Sequence, residues 1–101
     1  MNYTITRQAE EDVEAIGNYI AVNWSLDRAL RIVWEIRQEF RKLGETPGLG
    51  HFRDDVCDRR LKFWLIHSFL IAFRWEAQPI DIVAVIHGAR DLGPILEERM
   101  E

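Results

Sequence analysis

The five residues His87-Gly88-Ala89-Arg90-Asp91 include three side chains that together could move a proton and grip an anion. Histidine titrates near neutrality, arginine offers a rigid fork of donors to an oxyanion, and aspartate can orient either one. They follow Ile80-Asp81-Ile82-Val83-Ala84-Val85-Ile86, a nearly unbroken apolar run of β-branched and small residues that suits a strand covered on both faces. Gly88 ends the run and turns the chain, so the polar groups gather at the end of an element fixed by the core, where chemistry or recognition is commonly found.

With Arg74 added, His87 and Arg90 would supply an acid, a base and a phosphate clamp, the set that metal-independent RNA cleavage needs. The plainer expectation is that His87 hydrogen-bonds to backbone at the strand end while Arg90 pairs with Asp91 or another acid. Asp91 is also placed to cap a following helix. A second group of residues suits recognition rather than reaction. Leu30 and Trp34 lie one turn apart on a predicted helix, away from its core stripe and flanked by Arg37 and Arg41. A tryptophan between arginines has the composition of an interface hot spot, unless the tail or a long loop covers it as secondary core. His51, His67 and Cys57 show no metal-ligand spacing, and no cofactor is expected.

The elements that must position these groups follow from periodicity. Asn2 to Ile5 is predicted as a short strand, and the Thr6 hydroxyl can cap a helix running from about Gln8 to Asn23 with Ala9, Val13, Ile16 and Ile20 as its core stripe. Ser25 can cap a second helix from Leu26 to about Leu43, whose Ala29, Ile32, Val33, Ile36, Phe40 and Leu43 fall within one narrow arc. Gly44 and Thr46-Pro47-Gly48-Leu49-Gly50 should end it, with glycine supplying a positive-φ exit. The two helices then pack as an antiparallel hairpin.

His51 to Asp58 is predicted as a surface loop, followed by strands at Arg60 to Ile66 and Phe69 to Trp75 around a His67-Ser68 turn. Glu76 to Pro79 turns the chain into the Ile80 to His87 strand, completing a three-stranded antiparallel meander, and Asp91 to Met100 could form a short final helix. Trp64 and Trp75 are expected to be sheet residues facing core or helices. The predicted fold is α+β in two layers, a helical hairpin laid over one face of a small sheet, in one domain spanning residues 1–101.

Composition limits the partners. The chain is 48% hydrophobic and 30% charged with a net charge of -4, which argues against a surface built to grip nucleic acid non-specifically. Charge is unevenly spread: Arg53, Arg59, Arg60, Lys62 and Arg74 outnumber Asp54, Asp55 and Asp58, whereas the chain from Glu76 onward is acidic. A lone Cys57 forms no internal disulfide, and with neither a leader-like start nor a membrane-length apolar run, the expected location is cytoplasmic, away from any membrane.

The opening Y-T-I-T-R-Q-A-E-E-D-V-E-A-I-G-N-Y-I, the P-G-L-G after the second helix, the strand S-F-L-I-A-F-R and the ending V-I-H-G-A-R-D-L together resemble the ParE toxins of the wider ParE/RelE toxin-antitoxin superfamily, also called plasmid stabilisation proteins. The resemblance implies a toxin neutralised by a cognate antitoxin, ParD-like or similar, in a hetero-oligomer. It also implies one of two targets: DNA gyrase for ParE-like members, or mRNA cleaved on the ribosome for RelE-like ones. A third possibility is a toxin-fold protein that acts only in a repressor complex. The RelE-like pattern places lysines on the first meander strand, an arginine on the next, another after the last strand and a tyrosine in the tail. Here Leu61 and Phe63, Leu70 and Leu96 stand at those places, and Arg90 alone matches. Lys62 could replace a missing lysine only through a one-residue slip that would turn it to the other sheet face. From helical periodicity, the face of Leu30, Trp34, Arg37 and Arg41 is expected to receive the antitoxin or a second copy of the toxin; His87 and Arg90 are further partner-binding candidates, and His87, Arg90 and Arg74 are catalytic only if the chain is a ribonuclease.

Overall fold

A computed structural model describes residues 2–101. β1 (Tyr3–Ile5) leads into α1 (Arg7–Asn23) and α2 (Leu26–Glu45), then β2 (Leu61–Ile66), β3 (Phe69–Arg74), β4 (Ile80–His87) and α3 (Leu92–Arg99). Both predicted caps form: the Thr6 hydroxyl accepts from the Ala9 amide and the Ser25 hydroxyl from the Arg28 amide, each at 3.1 Å. The core stripes also form, with Ala9, Val13 and Ile20 of α1 and Ala29, Ile32, Ile36, Phe40 and Leu43 of α2 buried.

The exit from α2 differs from expectation. The helix runs on to Glu45 and is followed by a 3-10 turn at Pro47–Leu49, and no glycine among the described residues has a positive φ. Gly44 is needed for close approach instead: a Cβ there would lie 2.5 Å from the Asn2 carbonyl oxygen. The left-handed residue is His67, at φ 53°, in the β2–β3 turn.

The sheet has four strands in the order β1-β4-β3-β2. The meander is antiparallel as expected, while β1 adds to it in parallel beside β4, pairing Tyr3 with Ile80 and Ile5 with Ile82. That makes β4 an interior strand and accounts for its continuous apolar run, which is buried from Val83 to Ile86.

Each face of the sheet has its own core. On one face Ile71, Phe73, Ile80, Ile82 and Val85 meet the hairpin stripes, with Trp64 and Trp75 packed at the margin. On the other, Leu61, Phe63, Leu70, Ala72, Ala84 and Ile86 meet Leu92 and Leu96 of α3 and Val56 of the loop before β2. The final helix and that loop therefore close the face that a bare two-layer arrangement would leave open. His51 departs from the predicted loop by forming an antiparallel bridge to Phe63 on the outer edge of β2.

Candidate functional site

The end of β4 opens into a cleft of about 780 Å³ between α1, β4 and α3, lined by Asp12, Tyr19, His87, Arg90, Ile95 and Arg99 among others. The packed strand fixes one wall, and the turn after His87 brings Arg90 round to it. Here the Arg90 amide donates to the His87 carbonyl at 3.0 Å and the Gly88 amide to the Ser68 carbonyl at 2.8 Å. The His87 ring is exposed, sits edge-on to Phe69 with centroids 5.8 Å apart, and its Nδ1 accepts from the Ala89 amide at 3.2 Å. The backbone bond expected of a strand-end histidine is therefore present. The expected Arg90–Asp91 pair is not. Among the described residues no carboxylate is within ion-pair distance of Arg90, and Asp91 occupies the cap position of α3 without a side-chain hydrogen bond.

The inner wall of the cleft is an ion pair. The Asp12 carboxylate takes two hydrogen bonds from the Arg99 guanidinium and one from the Val85 amide, all at 2.9 Å, and Arg99 also donates to the Val83 carbonyl at 2.9 Å. The hydrogen bond to Asp12 is the main reason that the Arg99 pKa is raised above its ordinary value. This pair joins α1, β4 and α3, so it sets the shape of the cleft.

Arg74 is not part of the site. It lies across from Asp81 while His87 lies across from Phe69, so the length of β4 from Asp81 to His87, roughly 20 Å at about 3.3 Å per residue, separates it from Arg90. The expectation that the three could gather into an acid, base and phosphate clamp is corrected by the antiparallel register. What converges is one imidazole and one unpaired guanidinium, an arrangement suited to holding a carboxylate or phosphate presented by a partner.

The RelE-like positions give a matching picture. Leu61, Phe63, Leu70 and Leu96 are between 0 and 7% exposed, the first three on the sheet and Leu96 on α3, in one core between them. Lys62 pairs with Phe73 in a settled register and lies on the opposite, helix-facing side. Its ammonium sits 5.2 Å from the Phe52 ring centre and 4.4 Å from that of Trp75, with the Arg59 guanidinium 4.8 Å from Phe52. Sequence reasoning missed this cation–aromatic cluster as a unit. Its only signal there was the local basic excess, because Phe52 and Trp75 are far apart along the chain.

The residues expected from the sequence to serve recognition lie elsewhere, on the outer face of the hairpin. Leu30 and Trp34 are each 62% exposed, and Leu26, one turn before Leu30 on the same helix, is 64% exposed. The tail does not cover them, since α3 packs on the far side of the sheet. Arg41 is exposed beside them, whereas Arg37 bonds to Glu10 of α1, which raises its pKa and ties the two helices together. The two sets of partner-binding candidates thus occupy separate surfaces. Among the described residues no three His, Cys, Asp or Glu side chains come together in a way that could hold a metal ion.

A family model described as the ParE toxin of the type II toxin-antitoxin system, parDE, matches residues 3–92. It covers every element through β4 and stops as α3 begins. Among solved structures, one described as "Chromosomal ParDE TA system from P. aeruginosa" is similar in fold, with a TM-score of 0.74 at 22% sequence identity over 86% of this chain and 95% of that one. No curated protein matches the sequence significantly.

Proposed function

The chain belongs to the ParE toxin family of type II toxin-antitoxin systems, and from that membership we propose that it is neutralised by a cognate antitoxin and acts by binding and inhibiting DNA gyrase. Its toxicity comes from occupying a protein target. The observation that carries this reading is the apolar filling of the sheet face beneath α3. Where a RelE-like ribonuclease needs lysines and an arginine, this chain has Leu61, Phe63 and Leu70 in a dry core with Leu96 over them. Cations at those positions would have to be buried without partners, at a cost of several kcal/mol each.

Contact with the target falls to the cleft at the end of β4. The unpaired Arg90 fork reaches for a carboxylate or phosphate, the exposed edge of His87 adds a polar contact, and Tyr19 and Ile95 give the walls apolar area. An anchoring arginine in the turn that follows a packed strand is the kind of side chain that dominates interface energies.

Inducible expression in bacteria tests the reading. Growth should stop on induction and resume when the adjoining antitoxin is co-expressed, with supercoiling of a reporter plasmid relaxed during the arrest. Arrest accompanied by cut mRNA and unchanged plasmid topology would instead support the ribosome-dependent reading.

A further inference from the structure

Taking the cleft at the end of β4 as the surface that meets the target, we propose that what enters it is a protein segment presenting one carboxylate beside large apolar side chains, and not the phosphates of a nucleic acid. Charge decides first. The charged side chains in the lining are Asp12, Arg90, Glu98 and Arg99, two acids and two bases, so the cleft carries no net positive charge. Arg99 is already engaged, with two hydrogen bonds to Asp12 and one to the Val83 carbonyl. Among the described residues neither Arg90 nor Glu98 has an ion-pair partner. His87 adds one contact only, because its Nδ1 accepts from the Ala89 amide and Nε2 alone is left to face a ligand.

One free guanidinium matches one carboxylate, whose two oxygens fit its fork of donors. A phosphomonoester would bring about -1.5 to -2 charges at pH 7, more than Arg90 alone can answer with Glu98 in the same cleft. A nucleic-acid strand fits worse still. Its row of phosphates calls for a row of cations, and here it would run along a wall that holds Asp12 and Glu98. The rest of the lining is mostly apolar, with Ala15, Ile16, Tyr19, Phe69 and Ile95. That surface continues beyond the strand end. Tyr19, Phe69 and His87 also line a second hollow of about 470 Å³ that reaches Ile32 and Trp24, and Arg90 lines only the first. Tyr19 and Trp24 stand edge to face at 5.8 Å and are 61% and 58% exposed, so the hollow offers aromatic area with nothing over it. Its basic groups are turned to neighbours: His67 bonds to Glu35 at 2.8 Å, and Arg28 lies over the Trp24 ring at 5.6 Å. The carboxylate therefore belongs at Arg90 and the large apolar side chains on the other side of His87.

The test is a heteronuclear NMR titration of the purified chain with four probes. They are the peptide acetyl-Gly-Phe-Leu-Glu-Leu-Phe-Gly-amide, its counterparts with Gln or phosphoserine in place of Glu, and a twelve-base oligothymidylate. The Glu peptide should shift the amides of His87, Arg90 and Ile95 to saturation. The Gln and phosphoserine peptides should bind about tenfold more weakly, and the oligothymidylate should leave the cleft unmoved. Arg90→Gln should lose the same factor toward the Glu peptide and nothing further toward the Gln peptide, with the α2 signals in place to show that the fold is intact. A Glu peptide that shifts no cleft amide would overturn the proposal, as would equal binding of the Glu and Gln peptides. Tighter binding of the phosphoserine peptide or the oligothymidylate would assign the cleft to phosphate and overturn it too. The titration contains no gyrase, so the two readings fail separately. A chain that binds the Glu peptide but leaves gyrase unaffected would lose its target and keep this anchor, whereas inhibition of gyrase by a chain indifferent to the peptide would overturn the anchor alone.

Discussion

Asp12 is the residue on which most of the site depends, because one carboxylate serves three elements. Its oxygens take the Val85 amide and both terminal nitrogens of Arg99, and the two side chains are each 18% exposed. Asp12→Ala leaves a poorly solvated guanidinium and an orphaned strand amide, so a loss of about 2–3 kcal/mol is expected in urea unfolding. A variant within a few tenths of wild type would show that the pair does not hold the cleft. Gly50 is limited by space rather than by conformation. Its φ is an ordinary -69°, but a Cβ there would lie 2.5 Å from the Phe73 ring and 2.9 Å from Lys62 Cβ. Gly50→Ala should therefore cost about 1–3 kcal/mol through overpacking, and a neutral result would mean that the 50–52 segment can move away freely. Asp58 offers a pH test. The Arg60 guanidinium, bonded at 2.7 Å, holds its carboxyl below the usual range. A lowered folded pKa means that the small stabilisation is complete above the unfolded value of about 3.9 and is lost as pH falls through the lower folded value. In an NMR titration Arg60→Gln should raise the Asp58 midpoint; an unmoved midpoint would rule out Arg60 as the cause.

At the scale of elements, α3 has the most to do for its size. Leu92 and Leu96 sit on the sheet face shared by Leu61, Phe63 and Leu70, and Arg99 pins the helix end to α1. Leu96→Ala should cost about 2–5 kcal/mol in denaturant unfolding and raise binding of a hydrophobic dye, because little else can collapse into the gap. No change in either would mean that the second face is not a cooperative part of the fold. The elements themselves could be read from the sequence with little loss. The stripe from Ala29 to Leu43 has a single interpretation at helical period, and Thr6 and Ser25 announce the helix starts. Which element covers which face was much less accessible. The apolar run of β4 says that both its faces are covered, but a short helix carrying only Leu92 and Leu96 as buried residues gives too brief a pattern to show where it docks. The site was legible to the same degree. His87 and Arg90 share a turn and were found together, whereas Arg74 could be excluded only once the β3–β4 register was fixed. Likewise His51 stands far from Phe63 in sequence, so no local signal marks the bridge that protects the β2 edge.

Over the whole molecule the two candidate surfaces lie apart. Two cores on either side of one sheet make a rigid frame, with the cleft of His87 and Arg90 at one strand end and the exposed ridge of Leu30 and Trp34 on the outer hairpin. Because the two lie on different faces, a substitution in one should leave the structure of the other unchanged. Arg90→Ala should lower toxicity in the growth assay while leaving stability within about 0.5 kcal/mol of wild type, as befits an exposed side chain without an ion-pair partner. Full toxicity in that variant would remove the cleft from target binding. The most direct measurement is DNA supercoiling by purified gyrase in the presence of this protein, first alone and then with its cognate antitoxin. The expected result is inhibition by the folded chain, relieved by the antitoxin and weakened by Arg90→Ala. Undiminished supercoiling in the presence of folded protein would contradict the assignment of gyrase as its target.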